Sequence, residues 1–225
     1  FLIITSHEEP MVYTQHPCSY DSKAFALEPY KLVLSQNYTP SHVVIVSGGA
    51  GGLGKELVLK LCQLGAREVI VVSRKKHNVP EFKEYTVHMF TFSELAKNIQ
   101  KYKERPISFF HLAGVLDDGF IHQLTTERIH NVLSPKIHTT IDILNLFKQH
   151  SMQLEYCVLF SSIYSLFGYD QLTHYASANG YLNGVHHMIE YPVLSINWGT
   201  WKGAGMAHRL GGRFESFWRK QGMSF

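Results

Sequence analysis

From residue 43 onward, short apolar β-branched runs alternate with longer stretches in which apolar residues recur every three or four positions. The runs predict strands over 43–47, 69–73, 86–90, 107–111, 155–161 and 193–197. The longer periodic stretches predict helices over 52–64, 93–103, about 121–149 and 174–190. Pro135 should bend or break the third of these. Strands alternating with helical patterns predict an α/β fold, a Rossmann-like doubly wound parallel sheet with helices on both faces. Residues 1–40 have no such order. They are polar and punctuated by Pro10, Pro17, Pro29 and Pro40, and only Leu32-Val33-Leu34 suggests a strand. There is no repeat and no low-complexity tract.

Composition narrows this picture without redirecting it. A chain of 225 residues can bury one good core. It is 45% hydrophobic and 17% charged, as expected of a globular domain. The net charge of +3 has no basic stripe behind it, which argues against nucleic acid. Cys18, Cys62 and Cys157 are odd in number and far apart, so neither a disulfide framework nor a zinc site is expected, and a reducing cytoplasmic compartment fits. The opening Phe-Leu-Ile-Ile is too short for a signal peptide or membrane span, and a first residue other than Met suggests an excised piece. His186 and His187 are adjacent and would diverge on a helix, so no metal site is expected there.

The first strand runs into Gly48-Gly49-Ala-Gly51-Gly52-Leu53-Gly54. Gly49-x-Gly51-x-x-Gly54 fits the dinucleotide fingerprint. Gly49 suits the tight turn, Gly51 lets backbone approach a pyrophosphate, and Gly54 lets the helix pack on the strand. The helix that follows presents free N–H groups and a positive dipole end to phosphates. About 20 residues past the glycines, where an NAD site carries an acid, stands Arg74, flanked by Ser73, Lys75 and Lys76. A guanidinium and a hydroxyl bind a 2′-phosphate that a carboxylate would repel, so NADPH is expected over NADH.

A second set of residues lies more than a hundred positions downstream. Ser162 ends the strand that contains Val158-Leu159-Phe160. Tyr175 opens a helix, with Asn179 at i+4 on the same face. A tyrosine can donate the proton that a reduced ketone needs, provided a nearby cation lowers its ordinary pKa of about 10. Lys136, directly after Pro135, is the candidate cation.

These segments together resemble the ketoreductase domain of modular polyketide synthases and animal-type fatty acid synthases, within the short-chain dehydrogenase/reductase superfamily. In that family the Lys and Asn positions are exchanged relative to other short-chain reductases, as Lys136 and Asn179 are here. The matching stretches are Ser47–Gly54, Val72–Arg74, His111–Asp118, Ser134–Lys136, Leu159–Ser162, Tyr175–Asn179 and Ser195–Trp201, continuing through Gly205-Met206-Ala207. They cover about 43 to 210, in order.

The resemblance implies an NADPH-dependent enzyme, a 3-oxoacyl-[acyl-carrier-protein] reductase. It implies that Tyr175 protonates the ketone, Ser162 hydrogen-bonds its oxygen, Lys136 supports the tyrosinate and Asn179 holds the relay. Gly48, Gly49, Gly51, Gly52, Leu53, Gly54, Ser73, Arg74, Ala113 and Gly114 would hold the cofactor. The implied substrate is a β-ketoacyl thioester on the phosphopantetheine arm of an acyl carrier protein, beside neighbouring synthase domains, with no nucleic acid and no membrane as partner. Leu116-Asp117-Asp118 is similar to the fingerprint of B-type enzymes, which yield D-alcohols, and Phe167 stands where A-type enzymes carry a Trp. Asp118, Phe167, Trp201 and Met206 are thereby expected at the substrate, with the glycine-rich stretch after Trp201 as a lid. Asp117 and Asp118 have a plainer reading as a helix N-cap. Residues 1–40 would be the tail of a non-catalytic companion subdomain, and 41–225 a C-terminally shortened catalytic domain.

The chain departs from the family in three places. The link from Arg74 to Glu84 is too short for the usual helix, Phe90-Thr91-Phe92 replaces the usual adenine-side segment, and 188–193 is shortened. Two other readings compete. One is a stand-alone dehydrogenase of a small alcohol, which the exchanged Lys/Asn pattern opposes. The other is a non-catalytic nucleotide-binding scaffold, for which loss of Lys136, Ser162 or Tyr175 would be expected.

Overall fold

A computed structural model of the chain describes residues 2–4, 11–12, 41–199 and 201. Its strands are β1 (Leu2–Ile4), β2 (Met11–Val12), β3 (Val43–Ser47), β4 (Val69–Val72), β5 (Val87–Phe90), β6 (Ile107–His111), β7 (Leu154–Ser162) and β8 (Val193–Trp198). They form one sheet in the order β2-β1-β8-β7-β6-β3-β4-β5. All neighbours pair in parallel except β2, which runs antiparallel to β1. The helices are α1 (Gly52–Gln63), α2 (Phe92–Asn98), α3 (Thr126–Gln149), α4 (Tyr164–Phe167) and α5 (Thr173–Gly184).

β3, β4 and β6 are buried along their whole length because both faces of the sheet are covered. The two-residue side-chain period divides each strand between two cores. Val43, Ile45, Ile70, Val72, Phe109 and Leu159 face one side, where Leu95 of α2, Ile143 and Phe147 of α3 and Leu182 of α5 pack. Val44, Val46, Val69, Val71, Phe110 and Val158 face the other, under Val58, Leu61 and Cys62 of α1. Each such aliphatic or aromatic side chain contributes about 1.5–3 kcal/mol by leaving water.

From β3 the chain moves outward through β4 to β5, then returns to the opposite side of β3 as β6. The order therefore reverses between β3 and β6, and a crevice opens there at the carboxyl ends of the strands.

The predicted strands are all present, within two residues at each end. Several other expectations are corrected. Residues 1–40 are not without order: Leu2–Ile4 lies parallel to β8 in register Leu2↔Ile196. That pairing depends on an edge nearly two hundred residues away, so no local pattern announces it. Leu32-Val33-Leu34 falls outside the described residues. Pro135 does not break α3, which is continuous through it. α3 itself starts at Thr126, after a 3-10 turn at Ile121–Gln123, and α2 gives way to a 3-10 turn at Ile99–Tyr102. The last predicted helix stops at Gly184 and continues as a 3-10 turn over Val185–His187. α4 has only four residues, too few for any periodicity to reveal. No helix of the described residues is long and apolar enough to cross a membrane.

Candidate active site

The glycine turn sits at the mouth of the crevice. Gly48, not Gly49, takes the left-handed conformation, with φ of 77°. A Cβ there would lie 2.7 Å from the Ala113 backbone nitrogen, so Gly48 allows the post-β3 and post-β6 loops to touch. A Cβ on Gly54 would lie 2.1 Å from Gly48 O, so α1 can start so close to the turn only with glycine there. Gly51 caps α1 without any side-chain hydrogen bond, and Gly51 and Gly52 are exposed. No described side chain therefore caps the first N–H groups of α1. The turn from Gly48 to Gly54 thus lies against the backbone of Ala113, an arrangement that can receive an anion.

At the tip of β4, Arg74 and Lys75 are exposed, and no described side chain pairs with either. Lys76 differs: its ammonium lies 2.6 Å from Glu94 in the first turn of α2. The Ser73 hydroxyl donates to Lys75 O, which leaves its oxygen free to accept. N–H groups without a side-chain cap at the turn, and a guanidinium with no described partner one strand further out, fit the pyrophosphate and 2′-phosphate of NADPH.

Across the crevice the structure brings Lys136, Ser162, Tyr175 and Asn179 together. All four are buried. α3 carries Lys136 inward, where its Nζ donates to Phe160 O at 2.9 Å and stands 6.0 Å from the centroid of the Tyr175 ring. Burial pulls the ammonium down to about 7. Burial raises the Tyr175 phenol above its ordinary value, while hydrogen bonds with Asn179 and Ser162 oppose the rise. This corrects the expectation of a lowered phenol: desolvation outweighs every other influence on it. Ser162 Oγ accepts from Tyr164 N at 3.3 Å, and its hydroxyl also hydrogen-bonds the Tyr175 phenol. Asn179 Nδ2 donates to Tyr175 O at 2.8 Å, while its Oδ1 is buried with no partner among the described residues.

Three residues that the sequence reading did not single out hold this site. His111, fully buried at the end of β6, shares a 2.5 Å hydrogen bond with Ser47. Burial, and then the Lys136 charge, hold its imidazole down to about 3, so it stays neutral. Arg128 on α3 donates to the Asp117 carboxylate at 2.6 and 3.0 Å and to the carbonyls of Asp117 and Asp118. His174, beside Tyr175, hydrogen-bonds Asp117 O at 2.8 Å. The two aspartates are thus not the helix cap, which is Thr125. Asp117 is an anchor, and its pKa is lowered first by the Arg128 hydrogen bond. Asp118 is not held in this way, and burial raises its carboxyl. No single signal in the sequence links Arg128 to Asp117, because they meet only when α3 folds back.

The remaining expected residues scatter. Phe167, at the end of α4, is 80% exposed. Trp201 packs its ring 4.8 Å from that of Trp198. Met206 and most of the expected lid lie outside the described residues. Among the described residues no group of three or more His, Cys, Asp or Glu side chains converges to hold a metal ion.

A doubly wound sheet with a glycine cradle at its switch point and a Ser-Tyr-Lys set opposite defines the short-chain dehydrogenase/reductase class. A solved short-chain dehydrogenase/reductase from Burkholderia vietnamiensis shares the fold, with a TM-score of 0.61 over 70% of this chain and 84% of that one, at 16% identity. Within that class the chain belongs to the ketoreductase (KR) domain family of polyketide synthases, whose model matches residues 42–203.

It is 30% identical over 192 residues to the polyketide synthase GfsA of Streptomyces halstedii, covering 76% of this chain and 2% of that protein. It is 26% identical over 210 residues to the 6-methylsalicylic acid synthase of Aspergillus niger, covering 80% of this chain and 12% of that one. The chain therefore spans only a small part of the curated relatives it matches. A structure of A-type ketoreductases from a modular polyketide synthase superposes with a TM-score of 0.70 at 26% identity, over 84% of this chain and 44% of that one. The first ketoreductase of the tylosin synthase superposes at 0.65 and 28% identity, over 76% and 41%.

Proposed function

We propose that this chain reduces a β-ketoacyl thioester to the β-hydroxyacyl thioester, using NADPH, while the substrate rides on the phosphopantetheine arm of an acyl carrier protein among neighbouring synthase domains. The observation that carries the reading is the burial of Lys136, Ser162, Tyr175 and Asn179 around one phenol. The chemistry such a cofactor supplies when bound is a hydride for the ketone carbon. The rest belongs to the chain. Gly48–Gly54 receive the pyrophosphate and Arg74 the 2′-phosphate.

A phenol raised by burial stays protonated at neutral pH, which is the form a proton donor needs. Ser162 hydrogen-bonds the Tyr175 phenol and accepts from Tyr164 N, so its hydroxyl is held beside the phenol where it can donate to the ketone oxygen. As the proton leaves Tyr175, the Lys136 ammonium beside the ring stabilises the tyrosinate, and the dry surroundings strengthen that attraction. Asn179 fixes the first turn of α5 through Tyr175 O, so the phenol is aimed by the helix rather than by solvent.

The loop at 116–118 supports a D-configured product. Arg128 and His174 fasten Asp117, and Asp118 is left at the rim where the thioester arm would approach. The exposed Phe167 offers no steric block of the indole kind on the opposite wall. The division into residues 1–40 and a catalytic 41–225 belongs to the same proposal. The test is reduction of an N-acetylcysteamine β-ketothioester with NADPH, followed by chiral chromatography of the alcohol. A D-alcohol is expected. No turnover overturns the reading, and a dominant L-alcohol overturns its stereochemical part alone.

A further inference from the structure

The chain's adenine side differs from what its crevice requires elsewhere, and the difference concerns how the base is held. Residues 73–86 contain one 3-10 turn, Pro80–Phe82, and no helix, so no crossover helix covers the carboxyl end of β4 and β5. A dinucleotide with its pyrophosphate over β3 and its 2′-phosphate at Arg74, beyond β4, must place its base one strand further out, over the tip of β5. At that tip are Phe90, Thr91 and Phe92.

The side chains of Thr91 and Glu94 there are already engaged. The Thr91 hydroxyl accepts from Glu94 N and donates to Glu94 Oε2, and Glu94 Oε2 also accepts from Thr91 N. The other oxygen, Glu94 Oε1, takes the Lys76 ammonium at 2.6 Å. That ion pair ties the loop after β4 to the first turn of α2, the helix that Phe92 opens. Glu94 is held down to about 2 by Lys76 and by the Thr91 cap, so it remains an anion locked to these partners. Phe92 is 39% exposed and has no ring partner among the described residues, although it opens a helix whose Leu95 is fully buried.

We propose that Phe92 holds the adenine by stacking, and that this site does not read the base's exocyclic group by hydrogen bonding. The inference rests on NADPH being the cofactor. Stacking tolerates any purine because every base presents a π-face. A site with a hydrogen-bonding partner for the exocyclic amine would instead reject an analogue lacking it by several orders of magnitude. The geometry therefore assigns the 2′-phosphate contact to Arg74, the base plane to Phe92, and no partner to the amine.

The test is titration of the 225-residue chain by nicotinamide fluorescence with NADPH and with its hypoxanthine counterpart, in wild type and in Phe92→Ala and Phe92→Tyr. The expected result is affinity for the two dinucleotides within about threefold, a loss of about tenfold for both in Phe92→Ala, and recovery in Phe92→Tyr. Circular dichroism of Phe92→Ala checks that α2 is kept. Wild type that binds NADPH but discriminates against the hypoxanthine form by more than about thirtyfold overturns the inference, as does unchanged affinity in Phe92→Ala. Wild type that binds neither dinucleotide overturns the cofactor assignment and this inference with it.

Discussion

At the β7 end of the crevice, Lys136, Ser162, Tyr175 and Asn179 are buried and interlocked. At the β4–β5 end, Arg74, Lys75 and Phe92 stand in water. The contrast matches what the proposed reaction asks of each end. Proton transfer needs a fixed geometry and a low dielectric, because the charge that develops on a phenol is stabilised far more by an ammonium inside protein than in solvent. Holding a phosphate and a flat base needs a cation and an aromatic face, both of which work at a surface. On the proposed function, a β4–β5 link without a helix leaves the buried end untouched and changes only how the cofactor would be gripped.

The change that breaks the buried end most severely is Tyr175→Phe. It keeps the ring and its packing with Val132 and Leu172, and removes the proton donor. Turnover of a β-ketothioester should fall by about 10²–10⁴, with NADPH affinity and the circular dichroism spectrum unchanged. A variant of near-normal rate would mean that the buried set is structural only.

Gly54→Ala breaks the cradle that joins the two ends. Its Cβ would overlap Gly48 O and crowd the Gly49 Cα at 2.7 Å, and both are backbone atoms that cannot step aside. Denaturant unfolding should show a loss of about 1–3 kcal/mol, with NADPH binding lost as well.

Lys136→Met tests the buried end through pH. The Lys136 pKa falls from 10.5 in the unfolded chain to about 7 in the fold. Between these values the unfolded state holds the extra proton, so the contribution of Lys136 to stability rises with pH from about 7 to 10.5 and is flat below. The wild-type minus Lys136→Met difference in unfolding free energy should therefore climb toward high pH, at up to about 1.4 kcal/mol per unit. A difference independent of pH would show that the ammonium is not desolvated.

Arg74→Ala sharpens the exposed end, and its effect is the smallest. Wild type should bind NADPH at least about tenfold tighter than NADH, equivalent to about 1.4 kcal/mol. The variant should lose that preference while keeping its NADH affinity. Raising the salt concentration should narrow the wild-type preference as well, because the guanidinium is exposed.

Local pattern was sufficient for the framework. Apolar runs of four to six residues marked β3, β4, β5, β6 and β8, and a longer one marked β7. The glycine spacing marked the turn between β3 and α1, and the interval from Gly54 to Arg74 marked the exposed cation at the tip of β4. These features are legible because each depends on neighbours within one strand or one turn. The Ser, Tyr and Asn of the site were legible too, by spacing along β7 and α5.

Packing decided the rest. Which glycine takes positive φ depended on how closely Ala113 approaches, and the answer was Gly48. Whether the tyrosine is raised or lowered depended on burial against the distance of Lys136, and burial prevailed. The role of Asp117 came from Arg128 and His174, brought to it by α3 and α5. The β1 strand exists through its pairing with β8. A sequence encodes periodicity and steric permission residue by residue. Distances between groups scores of positions apart, and the dielectric around them, are set only when the sheet closes and the helices lie across it.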